Sequence, residues 1–293
     1  MSELPRIGFI GTGIMGAPMA GHLLAAGHTL TIANRSRGPR CEALLAAGAH
    51  WAPSPAAVVA ASDIVITILG FPQDVEAVWL GAEGLLTTAR PGMLLLDMTT
   101  SSPRLAQQIA TQAATRGVMA LDAPVSGGEV GAKGATLSVM AGGTAAAFAT
   151  ALPILQRLGQ AIRHMGKAGA GQHTKMANQI VIAATLMGVA EGLCYARAAG
   201  LDGEAVLAAL GPGAAGSFQL NVLGPKMVAE DFAPGFMLKH FLKDLGIAMA
   251  EAEGMGLTLP GLTAAKRLAE MAAGLRGQEA GTQALIAALA AAG

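Results

Sequence analysis

The chain has 293 residues, 53% hydrophobic and 13% charged, with a formal net charge of zero. That balance offers no electrostatic footprint for nucleic acid, no polybasic arm and no acidic tail. Its two cysteines, Cys41 and Cys194, come without paired Cys/His spacing, which suggests neither a disulfide framework nor a zinc site. Mean hydropathy is high at +0.50. Yet the longest apolar run, Ile180 to Ala190, is too short to span a bilayer and stops at Glu191. The N-terminus lacks the basic and apolar regions of a signal peptide. A cytoplasmic protein with neither a membrane nor a nucleic-acid partner is expected.

In chain order, a short apolar run at Ile7–Ile10 meets Gly11-Thr-Gly13-Ile14-Met15-Gly16, and an Ala/Leu-rich helical pattern follows through Leu24. A Gly-x-Gly-x-x-Gly turn between a strand and a helix is the layout of a Rossmann dinucleotide site. Gly11 permits the tight turn, Gly13 lets the backbone approach a pyrophosphate, and Gly16 lets helix and strand pack closely. The competing reading, a glycine-rich structural turn, leaves the flanking pattern unexplained. Further strands are expected at Thr29–Ala33, Ile64–Leu69, Met93–Asp97, Val118–Asp122, Thr136–Met140 and Ala161–His164. Helical patterns fall between them, as at Pro39–Ala47, Pro103–Thr115 and Thr144–Leu158. Such alternation predicts a mostly parallel sheet with helices on both faces. After Gly166 the character changes. Helices are expected at Gln172–Ala199, Leu201–Leu210, Lys239–Glu253, Leu262–Ala273 and Thr282–Ala291, with no convincing strand. The predicted organisation is therefore an α/β Rossmann domain over residues 1–166 followed by an all-α domain over 167–293.

An NAD-binding strand ends in Asp or Glu roughly 20 residues past the glycines, where the carboxylate holds the ribose. Here the chain reads Ala33-Asn34-Arg35-Ser36-Arg37, with Arg40 close behind. Arg35 offers a planar guanidinium to a 2′-phosphate, with Ser36 as a hydroxyl donor and Asn34 beside them. NADP(H) is expected over NAD(H). The bland alternative is a solvated helix start.

Three further segments carry chemistry. Asp122-Ala-Pro-Val-Ser126-Gly127-Gly128 follows a strand, so it belongs at the ligand edge of the sheet. There Ser126 and glycine N–H groups can meet a carboxylate. Lys175 and Asn178 share a helix face, and a lysine there can deliver a proton to a carbonyl oxygen. Taken alone, the first segment reads equally as a flexible strand-to-helix loop, and a surface lysine is the more ordinary reading of Lys175. Lys243-Asp244, within an apolar helix, reads as functional or as a salt-bridged face. The six histidines show no metal spacing, and no Ser/His/Asp arrangement stands out.

Together these pieces resemble the β-hydroxyacid dehydrogenase family across essentially the whole chain. Gly8 to Ala20 is similar to its N-terminal signature, including Pro18, and Asp97-Met-Thr99-Thr-Ser-Ser-Pro to the segment that meets the nicotinamide. Asp122–Gly128 resembles the substrate-carboxylate loop, Gly171-Gln-His-Thr-Lys175-Met-Ala-Asn178-Gln the catalytic motif, and Phe236–Leu245 the later Lys-Asp motif. The resemblance implies Lys175 as general acid/base, and Ser126, Gly127, Gly128 and Asn178 as substrate ligands. It implies Thr99 and Lys243 at the reactive end of the cofactor, with Leu69 and Pro72 lining its middle. It also implies a homodimer or homotetramer and a small semialdehyde or 3-hydroxy acid as partner. Lys175-Met-Ala-Asn-Gln and the run from Gly213 to Asn221 resemble tartronate semialdehyde (2-hydroxy-3-oxopropionate) reductases, whereas Phe236–Asp244 resembles the glyoxylate/succinic semialdehyde branch. Those two readings differ, and 3-hydroxyisobutyrate dehydrogenase is a third, so the substrate stays open. The rival functions are an imine reductase, against which Lys175 argues, and a non-catalytic dinucleotide sensor.

Overall fold

The computed structural model describes residues 4–291, and the chain divides into two compact units, the first ending at Lys175 and the second beginning at Met176. The first unit is built on a nine-stranded sheet. Its strands are β1 (Ile7–Ile10), β2 (Leu30–Ala33), β3 (His50–Trp51), β4 (Ile64–Thr67), β5 (Leu94–Asp97), β6 (Met119–Asp122), β7 (Val125–Ser126), β8 (Leu137–Gly142) and β9 (Gly159–Gly166). They lie in the order β3-β2-β1-β4-β5-β6-β8-β7, with β9 beside β8.

Pairing is parallel from β3 through to β6. Side chains alternate between two cores. Ile7, Phe9, Ile64, Ile66, Leu94 and Leu96 face one, while Ile10, Val65 and Leu95 face the other. Burial on both faces is why these strands read as unbroken apolar runs. The helix Pro55–Ala61 crosses so close that a Cβ at Gly8 would stand 2.3 Å from Val58 Cγ1.

Three departures from the expected sheet have local causes. β8 runs antiparallel to β6 and β7. The connection through the short helix Gly128–Lys133 is shorter than a crossover needs, so the chain folds back as a return strand. β3 and β7, with two residues each, are too short to leave a periodic signal. The run expected to reach Leu69 leaves the sheet at Thr67. Its last residues instead form the loop before the helix Pro72–Leu80.

The helix Ala170–Ala198 leads from the first unit into the second. Its first residues, through Lys175, pack with the first unit, and the groups that hold them are described below. It is long and apolar enough to cross a membrane by length and composition. Gln172, Lys175 and Gln179 interrupt the apolar run but not the helix, so the run alone understates its length. Its buried Ala183, Leu186, Ala190 and Leu193 belong to the core of the second unit.

That unit comprises the helices Gly203–Leu210, Gly224–Val228, Leu238–Gly254, Pro260–Arg276 and Leu285–Ala290, with a π-helical turn at Gln219–Leu223 and a 3-10 turn at Thr282–Ala284. Among its described residues the only β pairing is an isolated bridge between Met237 and Gly281. The first of these helices starts at Gly203, not Leu201, because Asp202 Oδ2 accepts the Ala205 N–H at 2.9 Å and fixes the cap there.

Candidate active site

Strand order reverses between β1 and β4, and a crevice beyond the carboxyl ends of such strands is where α/β sheets bind dinucleotides. Gly11 to Gly16 close that end of β1. Gly11 has φ of +99°, and a Cβ there would lie 2.1 Å from the Ile68 carbonyl oxygen. A Cβ at Gly16 would lie 1.9 Å from the Gly11 oxygen. Both positions are thus closed by backbone. Gly13 is the opposite case: a Cβ there would meet nothing within 4 Å. Next to it the helix Gly16–Ala25 begins without a side-chain cap or an acidic residue in its first turn. An open cradle of backbone N–H groups fits the pyrophosphate of a dinucleotide. Ile14 and Met15 are half-buried within the turn.

The segment after β2 is organised around two contacts the sequence did not announce. The Asn34 amide donates to the Ser36 carbonyl at 3.1 Å, and Thr12 Oγ1 lies 2.8 Å from the buried Cys41 Sγ, tying this region to the glycine turn. Arg37 is drawn away: it pairs with Glu42 through two hydrogen bonds and lies 5.3 Å over the Trp51 ring. Arg35, Ser36 and Arg40 are exposed.

At the ends of β4 and β5 the first unit is tightly wired. The Trp79 Nε1–H donates to Thr67 Oγ1 at 3.1 Å, and that hydroxyl donates to Asp97 Oδ1 at 2.9 Å. The Thr99 N–H reaches the same Asp97 oxygen at 3.1 Å, while Thr99 Oγ1 accepts the Leu69 N–H at 2.8 Å. Two residues assigned by resemblance to the cofactor, Leu69 and Thr99, are therefore bonded to each other. Pro72 follows as the first residue of its helix, where Asp74 Oδ2 accepts the Phe71 N–H at 3.0 Å. Burial outweighs these donors and pushes the Asp97 carboxyl up to about 6.

β6 ends in Asp122, whose two oxygens take the N–H groups of Gly169 at 2.8 Å and Gln172 at 2.9 Å. A carboxylate at a helix N-terminus answers both the orphan donors and the helix dipole. Its own carboxyl is raised to about 6, with burial the largest cause, ahead of those donors. There is no room for side chains around it: a Cβ at Gly171 would sit 2.3 Å from the Met140 oxygen, and one at Gly142 2.6 Å from Asp122 Oδ1. Gln172, fully buried, donates from Nε2 to the Thr99 carbonyl at 2.7 Å and accepts the Ser101 N–H at 3.0 Å. One turn further along, Lys175 is only 6% exposed. Asp122 and Gln172 are the residues that sequence reasoning left without a role; Asp122 lies 47 residues before Gly169, so no local capping pattern announces it.

Ser126 ends β7 and is half-buried. Gly127 follows with φ of +133°, a conformation L side chains rarely adopt, and it caps the helix Gly128–Lys133. The loop thus presents backbone rather than side chains.

In the second unit, Asn178 and Lys243 are joined through two buried groups. The Asn178 amide donates to Gln179 Oε1 at 2.9 Å, and Gln179 Nε2 donates to Asp244 Oδ2 at 2.7 Å. Asp244 Oδ1 accepts no hydrogen bond by geometry, but Lys243 Nζ lies 3.0 Å away as an ion pair. His240 stacks on Phe236, and burial, helped by Lys243 and Lys239, lowers its pKa.

Comparison with known proteins decides the family. Residues 6–166 match the model of the NAD binding domain of 6-phosphogluconate dehydrogenase, and residues 169–289 that of the NAD-binding domain of NADP-dependent 3-hydroxyisobutyrate dehydrogenase. The chain is 45% identical over 285 residues to a probable 3-hydroxyisobutyrate dehydrogenase-like protein of Arabidopsis thaliana, covering 97% of this chain and 85% of that one. The chain belongs to the β-hydroxyacid dehydrogenase family.

Two other β-hydroxyacid dehydrogenases extend the comparison. The 2-hydroxy-3-oxopropionate reductase of Escherichia coli strain K12 is 38% identical over 284 residues, 97% of each chain. The structure of Mycobacterium tuberculosis 3-hydroxyisobutyrate dehydrogenase with L-serine superposes with a TM-score of 0.88 at 31% identity, covering 98% of this chain and 99% of that one. As a β-hydroxyacid dehydrogenase, the chain is an NAD(P)-dependent oxidoreductase acting on CH–OH groups of small hydroxy acids.

Proposed function

We propose that the chain reduces small aldehydes bearing a carboxylate at the expense of NADPH, reversibly with oxidation of the corresponding 3-hydroxy acid. Tartronate semialdehyde is the leading substrate, and succinic semialdehyde, glyoxylate and methylmalonate semialdehyde are its rivals. The observation that carries this reading is Lys175. It is 6% exposed, one helical turn beyond a side chain bonded to the Thr99–Ser101 segment.

When bound, the reduced nicotinamide supplies the hydride. The N–H cradle at Gly13 and the helix start at Gly16 bind the pyrophosphate, Leu69 and Pro72 line the middle of the cofactor, and Thr99 meets its reactive end. Arg35 and Ser36 take the 2′-phosphate; the exposure of both, with Arg37 already paired to Glu42, supports NADP(H) over NAD(H). The Ser126–Gly128 loop holds the substrate carboxylate, and Lys175 gives its proton to the carbonyl oxygen as carbon is reduced, then recovers it in the reverse direction. Asn178 orients the substrate and Lys243 meets the cofactor. A homodimer or homotetramer belongs to the same proposal, supported by the exposed Val181 and Tyr195 on the long helix.

The test is loss of NADPH absorbance with each of the four aldehydes, repeated with NADH, and the reverse reaction with 3-hydroxyisobutyrate and L-serine. Fast turnover of one aldehyde with NADPH establishes the reading. Coenzyme binding without turnover on any of them overturns it in favour of an imine substrate or a sensor.

A further inference from the structure

We propose that Gln172 is a positioning residue that holds the proton donor and the nicotinamide-facing segment in register. This rests on the assignment of Lys175 as general acid given above. The carboxamide of Gln172 uses both of its functions on one short stretch of backbone. Nε2 donates to the Thr99 carbonyl at 2.7 Å, and Oε1 accepts the Ser101 N–H at 3.0 Å. Residues a turn apart on a helix share a face, so the displacement of one moves the other. Lys175 stands in that relation to Gln172.

The clamp is fixed from behind as well. The Gln172 N–H ends on Asp122 Oδ2 at 2.9 Å, and Gly171 and Gly142 pack with no space for a Cβ, so the helix start cannot slide towards or away from β6. Thr99 is itself held by Asp97 and holds Leu69. Gln172 is therefore where two networks meet, one setting the cofactor path and one setting the first turn of the catalytic helix. Its full burial leaves no water to replace either bond. Proton and hydride must reach adjacent atoms of one carbonyl, and a small error in their relative placement lowers the rate without abolishing binding.

Two variants test this. Gln172→Met keeps the length and removes the donor and the acceptor; kcat should fall roughly tenfold to a hundredfold, with coenzyme affinity and aldehyde KM changed far less. A deuterated reduced coenzyme should show a larger isotope effect in this variant than in the wild type, as hydride transfer becomes slower relative to release. Gln172→Glu is the decisive control if the first variant fails to fold. As a neutral acid it offers the same donor and acceptor; ionised, it sets a charge against the Thr99 carbonyl. Its kcat should approach the wild type at low pH and fall away as pH rises, with a limb the wild type lacks. A folded Gln172→Met enzyme with wild-type kcat, or a Gln172→Glu profile parallel to the wild type, overturns the proposal. Lys175→Ala is run beside them. If it retains turnover, the assignment of the general acid fails and the proposal falls with it; if it is inactive while Gln172→Met is unimpaired, only the positioning role falls.

Discussion

The Thr67 hydroxyl donates to Asp97 Oδ1 at 2.9 Å, with Trp79 Nε1 donating to that hydroxyl from behind. Neighbouring strand ends are thus joined by a carboxyl group that is 5% exposed. Desolvation dominates its titration and raises it to about 6, with the nearby Asp122 charge adding to the effect. Such a group binds its proton more tightly in the folded protein than in the unfolded chain.

The sign of the pH dependence follows. The stability contributed by protonated Asp97 is present in full below the ordinary carboxyl value of 3.8 and is lost as pH rises through about 6. The amount is on the order of 3 kcal/mol. The Thr67 hydroxyl and the Thr99 N–H both donate to Oδ1, an oxygen that an amide can also offer. Asp97→Asn should therefore flatten the dependence of Tm on pH between about 4 and 6 and hold or raise stability at pH 7.5. Asp122, raised to the same range, keeps its own share of the slope; an unchanged slope would show that Asp97 contributes none of it.

Replacing Lys175 by Ala should lower kcat by roughly a hundredfold to ten-thousandfold, the usual share of a positioned general acid. NADPH affinity, read by coenzyme fluorescence, should stay near the wild-type value. Near-normal turnover would place the proton donor elsewhere.

Arg35 and the coenzyme give a separable result. Loss of a charge-assisted contact to phosphate should reduce kcat/KM with NADPH by about tenfold to a hundredfold in Arg35→Ala, leaving the NADH value almost unmoved. Equal losses with both coenzymes would mean that the arginine serves the fold of the loop.

Gly16 and Gly13 of the first turn should part company on substitution. Gly16→Ala drives a Cβ to 1.9 Å from the Gly11 oxygen, so Tm should drop sharply. Gly13→Ala meets nothing within 4 Å and should leave Tm nearly unchanged while weakening coenzyme binding. Thermal denaturation with and without NADPH distinguishes the two; a destabilised Gly13→Ala protein would contradict the open cradle.

The Rossmann layout is legible in the order of residues alone, because parallel strands buried on both faces must be apolar and a dinucleotide turn must be glycine-rich. So is the change to an all-helical second half, where the spacing of apolar residues shifts to a helical period. The order of residues does not display how side chains far apart in the chain meet. Asp122 lies many residues before the helix it caps, and Gln172 lies far from Thr99 and Ser101. The partners of Gln179 and Cys41 were equally invisible. Strand ends, too, were set by the tertiary structure: Ile68 and Leu69 are as apolar as the residues before them, but Leu69 gives its N–H to Thr99 instead of the sheet. Periodicity records which residues are buried; which buried polar groups satisfy one another is decided only when the strands and helices are brought together.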